Sequence, residues 1–152
     1  MNKPLRVATV QFCHRAGDKQ YNLALMEQFI EQAAQTDTQV LAFPEMCITG
    51  YWHVPQLSHD EVEALAERSD DSPSLARIAA LAERYQMAIG AGYIEKHQNG
   101  QLYNAYAVCM PDGQRHVHRK IHAFEHPSIS QGNAFTVFDT PWGVRIAILI
   151  CW

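Results

Sequence analysis

No stretch of this 152-residue chain approaches the ~18 consecutive apolar residues that a membrane-spanning helix requires. The opening Met1-Asn2-Lys3-Pro4 leads into a short strand-like run and lacks the apolar core of a secretion signal. Basic residues are also in short supply, 12 Lys and Arg against 16 Asp and Glu, for a net charge of -4. That balance offers no broad cationic footprint for nucleic acid or for an anionic membrane. The four cysteines, Cys13, Cys47, Cys109 and Cys151, form no CxxC pair, which argues against a disulfide framework and against a Cys-rich zinc site. Free thiols fit a reducing compartment, and the cytoplasm is the expected location. With no repeat and no low-complexity linker, residues 1–152 read as a single domain.

What is present is an alternation of strand and helix signals. Leu5 to Phe12 is β-rich, and Asp18 can cap a helix whose apolar stripe is Leu23, Met26, Ile30 and Ala33. Gln39 to Phe43 reads as a buried strand closed by Pro44. An aromatic loop from Gly50 leads toward a short helix near Glu61 to Arg68. Ser72-Pro73 starts another helix, with Leu75, Ile78, Ala79, Ala82 and Tyr85 inward, before a strand from Met87 to Tyr93. Asn99-Gly100 and Pro111-Asp112-Gly113 then turn a meander of three strands. Finally, Phe135 to Asp139 and Val144 to Ile150 flank the turn Thr140 to Gly143, and the near-continuous apolar VRIAILI predicts a strand buried on both faces. The pattern is α/β.

Glu45, Lys120 and Cys151 each follow the last residue of a predicted strand. Sites in sheets of parallel character gather outside the carboxyl ends of strands, so a shared address is expected, although the meander leaves the direction of the strand before Lys120 open. The chemistry is coherent. A carboxylate can take the proton of a thiol, the thiolate can attack a carbonyl or nitrile carbon, and a fixed ammonium can stabilise the charge that develops. Each residue also has a plainer reading: a buried core thiol, a solvated carboxylate, and an edge-strand lysine within His118-Arg119-Lys120.

The blocks VLAFPEMCITGY, HRKIHAFE and IAILICW, in that order, resemble those of the nitrilase superfamily of carbon–nitrogen hydrolases. The opening RVATVQF and Asn22 at the start of the first helix agree with it. The resemblance implies Glu45 as general base, Lys120 as the stabilising lysine, Cys151 as nucleophile, and Glu125 as a second glutamate that orients Lys120. It implies part of a four-layer α-β-β-α sandwich whose C-terminal portion is missing, truncated just beyond the nucleophile. A protein that ended there would be expected to fold poorly, lose most activity and associate through its sheet edge.

The expected activity is hydrolysis of small amides or N-carbamoyl amines through a thioester. A nitrilase acting on small nitriles is one alternative, and an inactive fragment or interaction module is another. The substrate is expected to be a small-molecule amide, carbamoyl compound or nitrile, the assembly a homo-oligomer, and cofactors none. Tyr51, Trp52, Phe124 and His126 are the candidate substrate-binding walls. His116, His118, His122 and His126 are crowded, but no Cys or carboxylate motif completes a zinc set, and no metal is expected.

Overall fold

The computed structural model describes residues 4–151. Three strands run parallel, β1 (Val7–Thr9), β2 (Val40–Ala42) and β3 (Ala88–Lys96), with β2 between the other two. β4 (Leu102–Cys109) turns back antiparallel to β3, and β5 (Arg115–Arg119) antiparallel to β4. β6 (Ile129–Ser130) pairs parallel with the start of β4, on the edge that β5 leaves uncovered. Two reversals restore direction, so β5 points the same way as β2. The ends of β2 and β5 therefore lie on the same side of the sheet, which settles the orientation that the sequence left open.

α1 (Lys19–Ala34) and α3 (Pro73–Tyr85) cover one face. Both start as their sequences dictate, with the Asp18 carboxylate accepting from the Tyr21 amide and the Ser72 hydroxyl from the Leu75 amide. The α1 stripe Leu23, Met26, Ile30 and Ala33 is buried against alternate sheet residues Leu41, Ile89, Ala91, Ala105 and Ala107. On α3, Leu75, Ile78 and Ala82 are joined by Leu81, while Ala79 and Tyr85 are only partly buried.

The opposite face of the sheet meets a hairpin, β7 (Thr136–Asp139) with β8 (Arg145–Ile148), through Ala88, Val108, Met110, Phe138 and Ile148. Helices, sheet and second sheet make three layers in the order of an α-β-β-α sandwich. No helix is long and apolar enough to cross a membrane among the described residues.

Two expectations need correction. The short helix is α2 (His59–Leu65), earlier than Glu61 to Arg68, because Ser58 and Glu61 form a reciprocal capping box that fixes its start. Among the described residues the strand through VRIAILI is covered on one face. Ile148 and Ile150 are buried, whereas Arg145, Ala147 and Leu149 on the alternate face are exposed, Leu149 at 76%. Apart from Arg145 the run is apolar on both faces, so its alternation was too weak to reveal the exposed one.

Candidate active site

The turn after β2 brings Glu45 over the sheet. Phe43 N–H donates to the Gly90 carbonyl, Ile48 N–H donates to the Gly92 carbonyl at 3.1 Å, and the Tyr106 hydroxyl donates to the Phe43 carbonyl at 2.7 Å. Met46, immediately after Glu45, is fully buried with a left-handed φ of 49°, an uncommon conformation for a bulky residue. The turn is tied from below by Asn22, whose buried side chain donates to the carbonyls of Arg15 and Ile48 and accepts from the Arg15 amide.

Lys120 leaves the end of β5 on the face opposite Arg119. Arg119 turns toward the helical side, where it makes a two-point ion pair with buried Glu95 and stacks over Tyr103 at 4.5 Å. Lys120 turns the other way and is fully buried. Its ammonium pairs with Glu45 Oε1 at 2.8 Å and with Glu125 Oε1, and lies 4.5 Å from the centre of the Phe124 ring. The solvated-edge reading of this lysine is thereby overturned. Burial opposes its charge, but the two carboxylates outweigh that effect and hold its pKa above the ordinary lysine value. Glu125 is the reverse case. Burial would raise its pKa, and Lys120, the backbone and Asn104 together bring it below the ordinary glutamate value.

Cys151 is exposed, not a core thiol, and its φ of 56° is also left-handed. With Gln11, His14, Pro44, Glu45, Tyr51 and Trp52 it lines a cleft of about 310 Å³. Tyr51 responds electrostatically to all four candidate groups. Burial chiefly raises its pKa, Glu45, Glu125 and Cys151 add to the rise, and Lys120 opposes it. Trp52 is 80% exposed and stacks edge-on to Tyr51 at 5.1 Å. His14 fixes this wall, because its Nε2 accepts from the Tyr51 amide at 3.0 Å, and burial lowers its pKa toward the neutral form that can accept.

Two candidate walls are placed differently from expectation. Phe124 packs on the ammonium and is otherwise exposed. His126 is engaged on both nitrogens, Nε2 donating to the distant Leu57 carbonyl at 2.8 Å and Nδ1 accepting from the nearby Ser128 amide at 3.0 Å. Neither is among the residues that line the Cys151 cleft. Of the crowded histidines, His116 stacks on Phe138 at 3.9 Å and buried His118 Nδ1 lies 3.3 Å from the Thr136 hydroxyl. Among the described residues the nearest approach to a metal-binding arrangement is His59, Asp60 and Glu63, with donor atoms within 4.8 Å, but Lys96 already pairs with Glu63 at 2.8 Å.

Three residues escaped sequence reasoning. Asn104, buried in β4, donates to both Glu45 and Glu125. A polar side chain within the apolar LYNAYAVC was the available signal. Gly92 and Gly132 allow close backbone approach beneath Glu45 and behind Lys120, and a lone glycine gives no hint of what lies above it.

Residues 6–152 match the carbon-nitrogen hydrolase family. The chain belongs to that family. It is 37% identical over 155 residues to a Pseudomonas protegens protein named "hydrolase in pqqF 5'region", covering 99% of this chain and 52% of that one. It is 32% identical to an (R)-stereoselective amidase from a Pseudomonas species, covering 97% and 52%. Among solved structures, Saccharomyces cerevisiae Nit3, a member of branch 10 of the nitrilase superfamily, superimposes with a TM-score of 0.82 at 28% identity, over 97% of this chain and 55% of Nit3. The chain thus spans about half the length of the relatives it matches. As a carbon-nitrogen hydrolase family chain, its three layers and the Glu45–Lys120–Glu125 cluster are to be understood as part of that family's sandwich.

Proposed function

We propose that this chain carries the catalytic centre of a hydrolase that cleaves small amides or N-carbamoyl amines through a thioester on Cys151. The observation that carries the reading is Lys120, fully buried between two carboxylates, one of which, Glu45, opens onto the same cleft as the exposed Cys151. Burying an ammonium is costly unless it is paired, and a surface lysine would avoid that cost, so the arrangement fits chemistry better than mere stability.

In this reading Glu45 accepts the thiol proton and Sγ bonds to the amide carbon. The ammonium of Lys120 stabilises the oxyanion. Glu45 returns the proton to the nitrogen, the C–N bond breaks, and ammonia or an amine leaves a thioester. Water, deprotonated by Glu45, then attacks the thioester, and the thiolate departs and regains the proton as the acid is released. Glu125 keeps Lys120 charged and oriented. Tyr51, Trp52 and His14 form the wall against which the acyl group packs. Kinship with a named amidase supports amides over nitriles.

The test is ammonia release by the full-length protein from a panel of small amides, carbamoyl amines and nitriles, with the Cys151→Ser and Glu45→Gln variants alongside. Amide turnover reduced at least about 10³-fold in both variants is expected. Turnover of nitriles alone would make the protein a nitrilase, and turnover of none would end the hydrolase reading.

A further inference from the structure

Asn104 sits in β4 on the same face as Tyr106 and Val108, fully buried. Its Nδ2 donates to Glu45 Oε1 at 2.6 Å and to Glu125 Oε1 at 3.0 Å. Those are the same two oxygens that Lys120 Nζ contacts. The orientation of the amide follows from chemistry, since the reverse would set its oxygen against two carboxylates. Its Oδ1 is buried without a hydrogen-bond partner. An unpaired buried carbonyl is a cost that an apolar residue would not carry, so the side chain is explained by its two donors.

The four atoms form a closed ring in which donor and acceptor alternate: Lys120 Nζ, Glu45 Oε1, Asn104 Nδ2, Glu125 Oε1. Within it Glu45 Oε1 accepts from both an ammonium and an amide, while Glu45 Oε2 has no hydrogen-bond partner among the described residues. We propose that Asn104 is a positioning residue that, together with Lys120, reserves Glu45 Oε1 for the ring and commits Oε2 to proton transfer with Cys151. Lys120 alone would leave Glu45 free to rotate about its terminal bond, exchanging the two oxygens. The second donor, approaching from the sheet, fixes the plane of the carboxylate. The role deepens the hydrolase reading and rests on it for the identity of base and nucleophile.

The experiment follows alkylation of individual thiols by iodoacetamide, resolved by mass spectrometry, from pH 4 to 9 in the full-length protein. Wild type is compared with Asn104→Ala and with the isosteric Asn104→Asp, alongside thermal melts and amide turnover. In the wild type, Cys151 should label faster than exposed Cys13. Both variants should label Cys151 about ten- to a hundredfold more slowly near neutral pH, with Cys13 unchanged. The acid limb of Cys151 labelling should move to higher pH, because removing a donor from a carboxylate favours its protonated form. For amide turnover, kcat should fall by a similar factor with KM within about twofold. Unchanged rate and pH limb in either folded variant would overturn the proposal. Equal slowing at Cys13 and Cys151 with a lowered melting temperature would overturn it as well, since that is the signature of a scaffold residue. Labelling reads the base without turnover, so an inactive wild type would sink the hydrolase reading while leaving the comparison of Asn104 variants decisive.

Discussion

Gly92 lies so close beneath the turn after β2 that a Cβ on it would stand 2.2 Å from the Met46 amide nitrogen and 2.8 Å from the Glu45 carbonyl carbon. Both neighbours are backbone and cannot swing aside. Gly92→Ala should therefore lift the turn that carries Glu45, costing about 1–3 kcal/mol of stability and at least about a hundredfold in kcat. Urea melts and steady-state kinetics on the same preparation would check it. A variant with wild-type kcat would mean that the turn does not set the position of the base.

Acid should destabilise the fold through three carboxylates. For each of Glu67, Glu95 and Glu125, burial would raise the pKa, but a cationic partner and further hydrogen-bond donors prevail and bring it below the ordinary 4.5. A carboxylate with a folded pKa lower than its unfolded one contributes stability above the unfolded value and loses it as pH falls through the folded value. Stability should accordingly be flat from neutrality to about pH 5 and decline below about pH 4.5. Glu95→Gln, which leaves Arg119 half-buried without its partner, should cost about 2 kcal/mol at pH 7 and flatten the acid decline. Urea midpoints between pH 3 and 7 measure both effects.

Lys120→Met keeps much of the volume of the side chain and removes its charge. Two carboxylates would then share a buried site with only Asn104 between them, so one must take up a proton. The expected loss is about 3–5 kcal/mol at pH 7, shrinking as pH is lowered. Recovery on acidification distinguishes carboxylate repulsion from a packing defect, which would be indifferent to pH.

The strand-and-helix order was legible in the sequence because its signals are local: an Asp or Ser cap, a stripe at helical spacing, an Asn-Gly turn. Glu45, Lys120 and Glu125 were legible as a set through the order of their blocks. Their convergence needed the direction of β5, which depends on how many times the meander reverses and on pairing partners that no short window contains. Asn104 and Gly92 stayed hidden for the same reason, since each acts on a residue more than 40 positions away. His126 illustrates the opposite error. Its neighbourhood to Glu125 in sequence suggested a shared cleft, but one ring nitrogen is taken by the Ser128 amide and the other by the distant Leu57 carbonyl.

Arg119 and Lys120 are adjacent cations on opposite faces of one strand, and that gives the register of β5 a chemical meaning. A slip of one position against β4 would send the guanidinium toward Glu45 and Glu125 and the ammonium toward Glu95. The misfolded sheet would still pair its charges, and composition or net charge could not tell it from the native one. In the native alignment Gly132 closes on the end of this strand: its amide bonds the Lys120 carbonyl at 2.7 Å, and a Cβ there would meet the Arg119 oxygen at 2.2 Å. A residue without a side chain thus lets the following segment clasp the strand end from which the lysine faces the cleft.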